Sequence, residues 1–219
     1  MEIGSEGLVI LVLILICFYL VYHYNNEKGL TKVVSNVDNE EYTVQIKDDS
    51  KEAADLIAKI KKRLIILLEH LKKTYGNSDK RVSLLESNFR PDAIKEGVQT
   101  PGYTSYSVNK GEQIILCLRN KDSLVDINTM MFVVLHEFAH LATESIGHTT
   151  EFWDNFRWIL EESINIGVYI RQDFKNNPVE YCGISITSTP LDNINLNLNK
   201  DKDKDKTIEA FKLKEGFKY

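Results

Sequence analysis

Apolar and polar positions follow three different rhythms along this chain. The first is an unbroken apolar run at residues 7–24, GLVILVLILICFYLVYHY. As a helix rising ~1.5 Å per residue it would reach ~27 Å, close to the hydrocarbon thickness of a bilayer, so it predicts a transmembrane anchor. Tyr19, Tyr22 and Tyr24 gather at its exit, where interfacial aromatics collect. Glu2 and Glu6 precede it without any Lys or Arg, and no small-residue cleavage site follows, which argues against a cleaved signal peptide. Lys28 and Lys32 lie just beyond the run. Basic flanks stay on the cytoplasmic side, and the downstream chain has no N-x-S/T acceptor, so the rest of the protein is expected to be cytoplasmic.

The second rhythm has the period of a helix. Leu56, Ile60, Leu64, Leu67, Leu68 and Leu71 form one stripe in residues 49–75, opened by Asp49 and Glu52 as a capping box and stopped by Gly76. Residues 125–135 are mostly apolar and predict a helix buried through a core, continuing through residues 136–140 with Gly147 as its stop. Phe152, Phe156, Ile159, Leu160 and Ile164 predict another over residues 150–170.

The third rhythm has period two. Residues 104–108 and 113–119 flank Asn109-Lys110-Gly111-Glu112 as a hairpin. In the second arm Ile114, Leu116 and Leu118 face one side, and Ile115, Cys117 and Arg119 the other. That arm is expected to run beside the metal helix described below, with one edge open to a substrate strand. Residues 181–187 read as a last short strand, and residues 41–46 as one strand within a polar spacer. A short helical piece is expected at residues 92–96 in an otherwise loop-rich stretch broken by Pro91 and Pro101. The order of elements implies an α+β fold. It divides into an anchor (1–24), a polar stalk (25–48), a folded domain (49–191) and an Asn/Lys/Asp-rich tail (192–219) with too little apolar area to order itself.

Charge narrows the function. A net charge of −5 over 219 residues does not suit a nucleic-acid binder, which needs a basic surface. Three cysteines make no disulfide framework; Cys117 and Cys182 could pair, but two isolated cysteines in a chain of this size are expected to be separate buried thiols.

The candidate chemistry lies in HEFAHLATESIGHTTEFW, residues 136–153. His136 and His140 stand one helical turn apart and can share one metal ion, with Glu137 beside them as general base, the H-E-x-x-H arrangement of zinc hydrolases. Zinc takes a third protein ligand. Gly147 permits a turn that returns the chain with His148; Glu161 and Glu162 on the following helix are the alternative. Tyr106, Tyr169 and Tyr181 are candidates to assist an oxyanion, and the sequence does not choose among them.

HEFAH, a spacer, GH and the aromatic pair of EFW resemble the small zincin peptidases of the WLM and SprT type, in which a third His opens the next helix. The seven residues between His140 and His148 are a spacer whose length varies among those families. The flanks SYSVNKGEQIILCLRNK and NPVEYCGISITSTP are similar to zincin-like proteins carried by large DNA viruses. The resemblance implies a zincin-like domain that binds Zn²⁺ through His136, His140 and His148. It implies hydrolysis of a protein or peptide substrate by a zinc-activated water, with Glu137 as the base. A membrane or virion structural protein that keeps zinc only for stability is the other class of reading. A crosslink-repair role on DNA is opposed by the acidic charge and the apolar N-terminal run.

Overall fold

The computed structural model describes residues 5–27, 29–98 and 104–195. The apolar N-terminal run forms α1 (Ser5–Glu27). Two strands follow, β1 (Leu30–Val34) and β2 (Glu41–Gln45), which pair as an antiparallel hairpin. Next come α2 (Ser50–Tyr75), α3 (Lys80–Asn88), a 3₁₀ turn (Pro91–Ala93) and β3 (Ile94–Glu96). The middle of the chain is β4 (Tyr106–Val108), β5 (Gln113–Leu116), β6 (Arg119–Asn120) and β7 (Ser123–Leu124). Helices α4 (Ile127–Leu141) and α5 (Thr150–Asn165), the hairpin β8 (Val179–Tyr181) and β9 (Ile184–Ile186), and a 3₁₀ turn (Pro190–Asn195) complete it. The architecture is mixed α+β, with small sheets packed among helices.

The stripe of α2 forms one wall of the core. Leu56, Ile60, Leu64, Leu67 and Leu71 are all buried, each removal from water contributing about 1.5–3 kcal/mol before entropy is subtracted. Gly76 ends the helix at φ 70. The expected capping box does not form. Asp49 occupies the N-cap position without a cap hydrogen bond, because Arg119 holds its carboxylate (Nη2 to Oδ1, 2.6 Å). Arg119 is buried and also binds buried Glu96, which accepts a further hydrogen bond from the Gln45 backbone (2.7 Å). One ion cluster thus joins β2, β3, β6 and the start of α2.

Four expectations need correction. Residues 25–48 are not merely a spacer: β1 and β2 lie against α2, and Tyr42 and Val44 enter the core. The stretch after Gly76 holds α3, which residue pattern did not reveal because only Val82 and Leu85 of its nine residues are buried. Residues 94–96 are strand rather than helix, pairing parallel with β5. The arm at 113–119 ends as a strand at Leu116 and is central, with β3 on one side and β4 on the other, so neither of its edges is open. Burial of Ile114, Ile115 and Leu116 on both faces is the physical reason. Among the described residues the outer strands of this sheet are β3 and β4.

Cys117 and Cys182, expected as separate thiols, are bonded to each other across 65 residues. Closing a loop of that size contributes about 4 kcal/mol in the chain-entropy account. Among the described residues no helix is long and apolar enough to cross a membrane. Residues 7–22 carry most of the apolar run of α1. Those side chains are exposed throughout, Leu8 by 58% and Phe18 by 71%. The expected tail lies mostly outside the described residues, apart from the 3₁₀ turn that seats Leu191 in the core.

Candidate metal centre

The site is built on α4 and α5, joined by a loop at residues 142–149. Asp126 caps α4, accepting hydrogen bonds from the backbone N–H groups of Asn128 (2.9 Å) and Thr129 (3.0 Å). Apolar residues from Met130 to Ala139 bury the helix, so its last turn carries His136 and His140 inward from one face. Their ring centroids lie 5.0 Å apart. Thr149 caps α5 by accepting from the Phe152 N–H (3.3 Å).

The loop between the helices is fixed by its own hydrogen bonds. Thr143 donates to the Ala139 carbonyl (2.7 Å), and Asn155 donates to the Ala142 carbonyl and the Thr143 hydroxyl. Glu151 accepts from the backbone of Glu144 and Ser145 and from the Ser145 hydroxyl, and that hydroxyl leads in holding its carboxyl below the usual range. Lys110 reaches from the β4–β5 turn to the Thr143 and Glu144 carbonyls, meeting the negative end of α4. That turn is left-handed at Asn109, Lys110 and Gly111. A side chain at Gly111 would stand 2.4 Å from the Asn88 carbonyl oxygen, and Asn88 itself donates to the Leu141 carbonyl. Gly147, at φ 82, then turns His148 back toward α4.

The result is convergence of three imidazoles. The Nε2 of His148 lies 2.9 Å from that of His136 and 3.2 Å from that of His140. Phe152 forms the floor, stacked on His140 (4.2 Å between centroids) and edge-on to His136 (4.9 Å) and His148 (4.6 Å). Phe156 and Trp153 extend this aromatic shelf. Burial, before the neighbouring rings, drives the pKa of His136 far below its usual 6.5. Burial likewise takes His140 down to about 3, with His148 and Lys110 adding to the effect. Neutral imidazoles result, the form that ligates metals.

The donor set fits zinc. One Nε2 carries one proton or one lone pair, so His148 cannot satisfy both neighbours as a hydrogen-bond partner at once. Three imidazole nitrogens aimed at one point are explained by a cation there; tetrahedral bonds of about 2.0–2.1 Å would separate ligand atoms by ~3.3 Å. Among the described residues His136, His140 and His148 are the group that could hold a metal ion.

The alternative ligands are placed elsewhere. Glu162 binds the His70 ring (2.7 Å) and the Tyr75 hydroxyl (2.7 Å), and Glu161 is exposed. Glu137 is buried within α4. Of the three tyrosines, Tyr169 packs on Phe132 in the core and is pushed up to about 12 by burial, while Tyr106 sits in β4. Tyr181 is buried, and its phenol pKa is raised first by burial and further by the charge of Glu137, which places it in the field of that carboxylate. Sequence reasoning did not anticipate Phe152 as a floor for the histidines, though the EFW run was its signal; nor did it anticipate Lys110, which only the tertiary fold brings to the loop.

One family model matches most of the chain. A model of the WLM domain matches residues 38–212. Uncharacterized protein R325 of Acanthamoeba polyphaga mimivirus is 31% identical over 182 residues, covering 81% of this chain and 91% of that protein. Uncharacterized protein 136R of Invertebrate iridescent virus 6 is 26% identical, covering 75% of this chain and 92% of its own. Among solved structures, Wss1 from Saccharomyces cerevisiae aligns with a TM-score of 0.44 at 20% identity, covering 57% of this chain and 87% of that one. The match to the WLM domain spans well over half of the sequence, and the chain belongs to that family.

Proposed function

We propose that this protein is a zinc-dependent metallopeptidase. The observation that carries the reading is the convergence of His136, His140 and His148 on one point, with Glu137 next to the first ligand in α4. His136, His140 and His148 would hold the zinc, which would supply Lewis acidity to lower the pKa of water toward ~7. Glu137 accepts the proton of the attacking water and hands it to the leaving amine of the peptide. The outer edge of β4, beside α4, presents main-chain groups to which an extended peptide can add.

The finer reading seats α1 in a membrane, with the zinc domain on the cytoplasmic side. The exposed apolar run of α1 supports the first part, and Lys28 and Lys32 support the second. The Cys117–Cys182 bond weighs against a reducing compartment. Protease protection of sealed vesicles, cytoplasmic face outward, decides: a zinc domain protected until detergent is added reverses the orientation.

The catalytic reading is tested by metal analysis of the purified full chain together with hydrolysis of a quenched-fluorescent peptide library. Wild type should carry one zinc and cleave. Glu137→Gln should keep the zinc and lose hydrolysis. A wild-type chain that binds zinc and cleaves neither the library nor itself would favour a zinc-stabilised structural role.

A further inference from the structure

We propose that the Cys117–Cys182 disulfide is a thiol-exchange site that sets the position of the β4 edge and so governs substrate capture, leaving the metal ligands untouched. The effect on capture rests on the peptidase reading; the coupling between disulfide and strand does not. Cys182 sits in the β8–β9 turn, with φ 47, followed by Gly183 at φ 84. It is half-buried, whereas Cys117 is 7% exposed, so an incoming thiolate reaches the Cys182 sulfur first.

From this bond a closed polar network runs to β4. Tyr181, next to Cys182, donates its phenol proton to the Cys117 carbonyl (2.9 Å). The Ser105 hydroxyl donates to the same phenol oxygen (2.5 Å) and accepts from the Cys117 N–H (3.0 Å). Asn120 braces the hairpin, accepting from the Cys182 N–H and donating to the Glu180 carbonyl. Ser105 immediately precedes β4, and all three groups are buried. Strand β4 pairs with β5 over only Tyr106, Ser107 and Val108. So short a strand depends on ties at its ends. The Asn109–Gly111 turn holds one end and the Ser105 network holds the other.

The exchange step balances with a dithiol reductant. One thiolate of the reductant bonds to Cys182 Sγ, the Cys117–Cys182 bond breaks, and Cys117 leaves as a thiolate that takes a proton. The second thiol of the reductant displaces Cys182 as a thiol, and the reductant ends as a disulfide, two electrons having passed to the protein. The hairpin then loses its covalent tie and is held by its hydrogen bonds and the packing of Tyr181 and Ile186, and Tyr181 can withdraw from Ser105.

The test uses the zinc-loaded full chain in detergent, with a water-soluble phosphine as the reducing probe. Alkylation should reveal both thiols after reduction, and zinc content should stay unchanged. Amide exchange should accelerate at least tenfold at residues 105–108 and 179–186 but not in α4 or α5. KM for a cleaved peptide should rise at least fivefold with kcat held within twofold. Ser105→Ala, which cuts the tie and spares the disulfide, should reproduce the KM change in oxidised protein. Unchanged exchange at 105–108 after complete reduction overturns the proposal, as does equal acceleration throughout α4 and α5. Absence of hydrolysis in both redox forms would count against the peptidase reading, and the exchange result would still decide the coupling.

Discussion

Two regions of the domain bury polar groups by opposite means. At the metal centre three imidazoles lie on an aromatic floor, all drawn from the contiguous segment 136–153. Elsewhere Arg119, Glu96 and Asp49 form a charged cluster gathered from three distant segments and closed by the backbone of a fourth. The first aims three ring nitrogens at one point, where one cation can bind them all. The second satisfies its charges internally, and has nothing left for a ligand. The comparison separates a site from a staple.

The largest effect that tests this contrast is removal of a ligand. His136→Ala should abolish stoichiometric zinc, and with it the rise in melting temperature that zinc confers by binding the folded state. Glu137→Gln should leave both intact while kcat falls about 10²–10⁴-fold, the range for loss of a general base. A Glu137→Gln protein with wild-type turnover would remove Glu137 from the chemistry.

The complementary change is Arg119→Ala. It strands Glu96, which is fully buried, without a counter-charge, and should cost about 3–5 kcal/mol in urea unfolding. Zinc affinity of the folded fraction should be unaltered. Loss of zinc at denaturant concentrations where the fold persists would show that the two regions are one unit.

Acid distinguishes them as well. His136 and His140 have folded pKa values below the usual 6.5, so the unfolded chain takes up protons first as pH falls. The metal-free domain should lose stability from about pH 6.5 downward, on the order of 2 kcal/mol by pH 5 from His140 alone. Asp49 is displaced the same way from a lower starting point: the Arg119 hydrogen bond holds it below 3.8, so its contribution is present above that pH and disappears only below it. Metal-free unfolding followed from pH 8 to pH 3 should therefore weaken first through the histidine region. A stability that stays flat from pH 7 to pH 5 would contradict the burial of neutral imidazoles.

What could be read from sequence divides along the same line. The helical period that stacks His136 over His140 is local, as is the glycine that returns His148, and both stand in the linear pattern. Asp49 satisfied the local rule for a cap, yet a residue 70 positions away took its carboxylate. The β5 strand and its hairpin partner β4 were visible, but its other neighbour was not: β3 pairs across 20 residues and is only three residues long. The Cys117–Cys182 bond spans 65 residues and has no local signature at all. Short elements and long-range partners carry too little pattern of their own to be recovered before the chain is folded.

The smallest expected effect concerns Glu162, which spacing along the chain allowed as a third ligand. Its carboxylate is engaged between the His70 ring and the Tyr75 hydroxyl, on a face where Arg81 stacks 3.7 Å over Trp158. Glu162→Gln keeps one acceptor oxygen and replaces the other with a donor, so one of those two bonds is retained. The cost should be about 1 kcal/mol of stability, as for a hydrogen bond to a partly buried charged group. Zinc affinity should change by less than twofold, because His148 occupies the position that a ligand from α5 would have taken. Competition with a chromogenic chelator measures this directly, with His148→Ala run alongside. A Glu162→Gln chain that releases zinc while His148→Ala retains it would exchange the roles of the two residues and require the loop at residues 142–149 to adopt another path in the metal-bound state.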